Sequence, residues 1–160
     1  MPDLDSEDVR EKLANSQRSL GITFHSAAGE ESALEKPLLE LASRLESASG
    51  GALRVERGDG IGLVALPCLT VAHRGAGKIH YQALPHGPEE PPFAEAIVGP
   101  RRNGPLPRDG WVERLAGLER PADLLVFVGS TCPHCPGAVR SANRLALASA
   151  LVAVSIVDVQ

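Results

Sequence analysis

An α/β fold is predicted by two observations: the order strand, helix, strand occurs twice along the 160 residues, and a Gly/Pro-rich stretch separates the two occurrences. In the first, GITFH (Gly21 to His25) precedes leucines at 34, 38, 41 and 45, and LRVER (Leu53 to Arg57) follows. In the second, LLVFV (Leu124 to Val128) and LVAVSIV (Leu151 to Val157) flank a helical stretch running to about Ala150. Only the first occurrence goes on to a hairpin and a closing helix.

The elements follow in order from their residues. Ser6 can cap a short leading helix with Glu7 and Asp8 in its first turn, and Val9 and Leu13 share one face. GITFH has the β-branched and aromatic content of a strand. Leu34, Leu38, Leu41 and Leu45 recur at helical spacing, with Pro37 placed in the first turn or at a kink, and Gly50 and Gly51 end that helix. CLTVAH (Cys68 to His73) and KIHYQA (Lys78 to Ala83) read as strands joined by RGAG, a tight hairpin turn. After Pro91 and Pro92, Phe93 and Ile97 mark one face of a helix that stops at Gly99 and Pro100. GPRRNGPLPRDG has the composition of a linker, and Trp111, Leu115 and Leu118 mark another short helix. The apolar LVAVSIV suits a strand buried in a parallel sheet. The expected organisation is a unit over 1–98, a linker over 99–110 and a second, partial unit over 111–160.

Composition narrows the function. With 43% hydrophobic residues the chain can build a core, and a net charge of −4 gives no electrostatic footprint for nucleic acid or an anionic membrane. The start, MPDLDSEDVR, lacks the cationic and apolar regions of a secretory signal, so a cytoplasmic location is expected. The longest near-continuous apolar run, Leu145 to Val157, is shorter than the ~18 residues of a membrane span. In such a compartment three cysteines argue against a structural disulfide framework; a close pair there points to redox chemistry or metal.

That pair lies in VGSTCPHCPGAVR, where Cys132 and Cys135 are separated by Pro133 and His134 at the predicted start of a helix. A helix N-terminus offers free N–H groups and a partial positive charge, which favour a thiolate. The dipole alone contributes roughly 0.3 to 1 kcal/mol, less than one pKa unit, so His134 and first-turn N–H groups are needed to lower the thiol further. Cys132 would then attack and leave well, and Cys135, one turn along, would displace the product thiol. Pro133 suits the first helical position. The metal reading stays open but lacks a second C-x-x-C; Cys68 or a distant histidine would have to complete the four ligands. A pair of inert thiols is the third reading, and no cofactor is expected.

These residues resemble a known family. LLVFV followed by GSTCPHCPGAVRSANRLA is similar to the second half of the tandem thioredoxin-fold proteins, the glutaredoxin-like protein disulfide oxidoreductases and the N-terminal domain of the alkyl hydroperoxide reductase flavoprotein. The likeness runs from about Gly21 to the last residue, with KIHYQALPHGPEEPPFAEAI resembling the hairpin strand, turn and last helix of a first unit. It implies two thioredoxin-like units, a cis-proline at Pro67 ahead of Cys68, substrate contacts at Thr131 and Pro67, and dithiol exchange with protein or small-molecule disulfides, with a flavoprotein or peroxidase as redox partner. Two departures stand out. SAAGEES after GITFH holds no cysteine, which silences the first unit, and nothing after Gln160 supplies the second unit's cis-proline loop, hairpin and final helix. An apolar strand edge at Leu124 to Val128 is therefore expected to lie uncovered, in a fragment of a longer protein or against a second copy in a homodimer. A non-catalytic interaction module is the competing function.

The remaining motifs read as plain structure. GDGIG (Gly58 to Gly62) and RGAGK lack the order of a phosphate-binding loop, Cys68 reads as a small buried hydrophobe, and His25, His73, His80 and His86 show no ligand spacing. Trp111 is expected in a core between the units.

Overall fold

The computed structural model describes residues 4, 7–15, 20–27, 32–60, 62, 65–99, 110–129 and 131–159. Ser6 and most of the linker, 100–109, lie outside them. α1 (Glu7–Ala14) buries Val9 and Leu13 completely, the one face its sequence offers. β1 (Leu20–His25) leads to α2 (Glu35–Ala48), where Pro37 sits in the first turn and Leu38, Leu41, Ala42 and Leu45 are buried. β2 is Val55–Gly58, two residues later than the sequence predicts. Leu53 is instead held by the turn: its N–H donates to Ser49 Oγ at 3.0 Å, and the Val55 N–H donates to Glu46 Oε1 at 2.6 Å.

β3 (Cys68–His73) and β4 (Lys78–Gln82) form the expected hairpin, and the Leu66–Pro67 bond ahead of it is cis. A 3-10 turn (Gly87–Glu89) enters α3 (Glu90–Val98), which ends at Gly99 with φ +76°. α4 (Trp111–Ala116), β5 (Ala122–Val128), α5 (Cys135–Ala148) and β6 (Val152–Asp158) complete the order. Trp111 is half-buried at the start of α4. Among the described residues no helix is long and apolar enough to cross a membrane.

The strands form one mixed sheet in the order β2-β1-β3-β4-β6-β5. Only β3 runs antiparallel to its neighbours; β4 and β6 pair in parallel through Ile79↔Val154 and Tyr81↔Ile156, so the second β-α-β segment extends the sheet of the first. Because side chains alternate across a strand, these registers assign the two faces. Ile22, Phe24, Leu69, Val71, Ile79, Tyr81, Val154 and Ile156 share the apolar face and are buried. There Tyr81 meets Phe93 of α3 edge to face, 4.7 Å between centroids, and its hydroxyl accepts from Asn143 Nδ2 of α5 at 2.8 Å. The opposite face carries Thr23, His25, Cys68, Thr70, His80, Gln82 and Ser155.

Two details set the position of the second segment. Gly77, in the hairpin, donates its N–H to the Ala146 carbonyl at 2.8 Å, and a Cβ there would fall 1.7 Å from the Val152 carbonyl oxygen. Only glycine permits that approach. At the other side β5 is the edge strand, and its outward-alternating Leu125 and Phe127 are 47% and 60% exposed. The uncovered apolar edge expected from the sequence is therefore present among the described residues.

Candidate functional site

The parallel strands β4, β5 and β6 end on the same side of the sheet, and α5 starts there, after β5. That is where open α/β sheets gather their chemistry, because loops and helix N-termini converge at the carboxyl ends of the strands. The Cys132 N–H donates to the Gly129 carbonyl at 3.0 Å, which turns the chain just after β5. Cys132 and Cys135 are joined by a disulfide with their Cα atoms 5.5 Å apart.

The helix begins later than its sequence suggests. Cys135 is its first residue, and the Ala138 N–H to His134 carbonyl bond, 3.1 Å, opens the helical ladder. Pro133 thus lies in the preceding turn and not at the first helical position; Pro136 is the second helical residue, where its missing N–H removes no internal bond. Cys132 stands three residues outside the helix but is covalently tied to its first residue. Both sulfurs therefore sit at the positive end of α5.

The two sulfurs differ in access. Cys135 is 7% exposed, with its Sγ 3.9 Å from the Phe127 carbonyl oxygen, whereas Cys132 is half-buried. An incoming thiolate can reach Cys132 and not its partner. Thr131 and Pro133 are exposed beside it, as is His134, whose side chain makes no hydrogen bond to the helix end.

Pro67, just ahead of the antiparallel strand β3, is brought to the same side of the sheet as the disulfide. β3 is separated from β5 by β4 and β6, and three strand spacings amount to roughly 14 Å. Cys68, the first residue of β3, is fully buried and a free thiol. Burial pushes its pKa up to about 11, against smaller opposing contributions from Thr70 and Gln82, so it behaves as a small hydrophobe. The Gln82 amide lies near that sulfur, yet neither of its polar side-chain atoms makes a hydrogen bond.

Three of the five histidines are engaged structurally. His73 Nε2 is 2.7 Å from the Ala96 carbonyl, His25 Nδ1 accepts from the Gly60 N–H at 3.0 Å, and His80 Nδ1 is 2.9 Å from Thr70 Oγ1. Burial, with Lys78 nearby, holds the His80 pKa down at about 4. Among the described residues no group of three or more His, Cys, Asp or Glu is placed to hold a metal ion.

A small cavity of about 90 Å³ opens beside Cys132, and its walls come from both segments. The turn after β4 supplies Ala83, Leu84, His86, Pro88 and Glu89; the ends of β5 and β6 supply Val128, Gly129 and Asp158. Burial raises the Glu89 pKa, opposed by Arg140 and His86. Arg140, on α5, is itself held by Glu95 of α3, with Nε 3.0 Å from both carboxylate oxygens. Sequence reasoning missed Glu89 and Asp158 as neighbours of Cys132, because nothing local signals them. Asp158 meets the disulfide through the β5–β6 pairing, at Val128↔Asp158, and Glu89 through the pairing of β4 with β6.

The sheet order and the strand, CPHC turn and helix are those of a thioredoxin-like fold. Solved structures agree. The NTD_N/C domain of the alkylhydroperoxide reductase AhpF from Enterococcus faecalis is similar at 20% identity, over 96% of this chain and 80% of that one, with a TM-score of 0.65. A protein disulfide oxidoreductase from Aeropyrum pernix is similar at 20% identity, over 97% of this chain and 76% of that one, with a TM-score of 0.58. These are the two groups the sequence resembles. No family model and no curated protein sequence matches the chain.

Proposed function

We propose that the chain is a thiol-disulfide oxidoreductase working through Cys132 and Cys135. The observation that carries this reading is the bridge at the N-terminus of α5, with one sulfur reachable and the other buried. A substrate thiolate attacks Cys132 Sγ, the Cys132–Cys135 bond breaks, and Cys135 leaves as a thiolate favoured by the helix end. A second substrate thiolate then attacks the mixed disulfide and releases Cys132. The substrate dithiol loses two electrons and two protons, and the cysteine pair gains them. Run backwards with an external dithiol, the same steps reduce a protein or small-molecule disulfide, with Cys132 as nucleophile and Cys135 as resolving thiol. His134 and Thr131 border the attacked sulfur, and Pro133 stiffens the turn.

Residues 1–98 are read as a thioredoxin-like unit without C-x-x-C and residues 111–160 as part of a second. In support, β1-α2-β2 and β5-α5-β6 are parallel pairs built alike. The outer edge of β5 is then the place for further strands of the second unit, from a longer chain or a second copy. A flavoprotein or peroxidase redox partner and a cytoplasmic setting complete the proposal.

Cys132→Ser should abolish dithiol-linked insulin reduction, and Cys68→Ser should leave it largely intact. Equal activity in the two variants would reject the assignment.

A further inference from the structure

The cavity beside Cys132 has an unusual composition for a site that handles thiols. Its lining combines the apolar Ala83, Leu84 and Val128 with two carboxylates that arrive from different strands, Glu89 after β4 and Asp158 at the end of β6. At about 90 Å³ it is well below the ~300 Å³ at which small-molecule pockets begin, so it has room for the end of one side chain and not for a whole tripeptide. Arg140 and His86 both act on Glu89 but do not outweigh its burial, so its pKa stays raised. Arg140 is held by Glu95 at 3.0 Å, leaving His86 in the wall and the exposed His134 on the turn. Asp158 is already engaged within the fold and adds field, so Glu89 is the group left to meet a visitor.

From this geometry, and resting on the oxidoreductase reading, we infer that the cavity is a charge-selecting subsite. It accepts a lysine or arginine side chain close to the cysteine of a peptide substrate and disfavours anionic thiols such as glutathione. The chemistry of exchange is unchanged: the peptide thiolate attacks Cys132 Sγ and Cys135 departs as a thiolate. What changes is where the peptide rests. An ammonium or guanidinium beside a partly desolvated carboxylate makes a charge-assisted hydrogen bond, while a second carboxylate there meets repulsion. Partial burial of Glu89, already visible as a raised pKa, strengthens the gain from such a partner.

The test is a single-turnover reduction of the oxidised full chain, quenched by acid and read by mass. The probes are a cysteine peptide flanked by lysines, the same peptide flanked by glutamates, glutathione, and dithiothreitol as an uncharged control. The lysine peptide should react about tenfold faster than the glutamate peptide, and Glu89→Gln should bring the ratio to about two or less. On the unaltered chain, about 1 M salt should compress the same ratio, which keeps the test independent of the variant's folding. A ratio near one in the wild type, or a ratio indifferent to both salt and Glu89→Gln, overturns the subsite. If dithiothreitol reduces the bridge while the charged peptides do not differ, only the subsite falls. If no probe reduces it, the oxidoreductase reading falls with it.

Discussion

Asn143→Ala perturbs the joint between the disulfide-bearing helix and the first segment. Asn143 is 3% exposed, and its Nδ2 donates to Tyr81 Oη at 2.8 Å and to the Pro92 carbonyl at 3.3 Å. Each bond is worth about 1 kcal/mol net, and stranding the fully buried Tyr81 hydroxyl adds about another 1 kcal/mol. Against this, Asn143 Oδ1 is itself buried without a partner, so its removal returns roughly 1 kcal/mol. The variant should therefore lose about 2 kcal/mol in urea denaturation, with an unchanged m-value. A double-mutant cycle with Tyr81→Phe separates the shared bond from the rest, and a coupling of about 1 kcal/mol is expected. A variant as stable as the parent, or a coupling near zero, would refute the claim that α5 is fastened to β4 and α3 through this pair.

Other substitutions probe separate parts of the account. Gly77→Ala would put a Cβ 1.7 Å from the Val152 carbonyl, so the hairpin and β6 must part; a loss of about 3 kcal/mol or more is expected by thermal or urea melting. His80 has a folded pKa held near 4, below its ordinary 6.5, so it stays neutral in the fold while the unfolded chain takes up a proton. Its contribution is present above pH 6.5 and is lost as pH falls to 4, about 2 kcal/mol once the ring's partial exposure is allowed for; His80→Asn should flatten that window in a pH series of melts. Cys68, with a pKa near 11 and no exposure, should resist iodoacetamide in the native protein and react on unfolding.

The sequence carried the element order because its punctuation is unambiguous. Leucines at helical spacing fixed α2, RGAG fixed the hairpin, and two apolar runs around a helix fixed β5 and β6. The boundaries that moved did so through side-chain and backbone bonds that spacing does not reveal. Ser49 and Glu46 claim the residues where β2 was expected to begin, and the turn from Gly129 to Cys132 delays α5 to Cys135. The cysteine pair was legible from its spacing after a strand, and the cis-proline only as something the family resemblance implied. The cavity was not. Its walls come from three segments far apart in the chain, joined by the β4–β6 and β5–β6 pairings.

A redox titration of the full chain in glutathione or dithiothreitol buffers, with alkylation and intact mass at each potential, addresses the proposed chemistry most directly. Two thiols should appear together in one reversible two-electron transition, mapped by peptide analysis to Cys132 and Cys135, while Cys68 stays unlabelled until the protein unfolds. A bridge that neither opens nor re-forms across the range, or thiols that titrate independently, would contradict it.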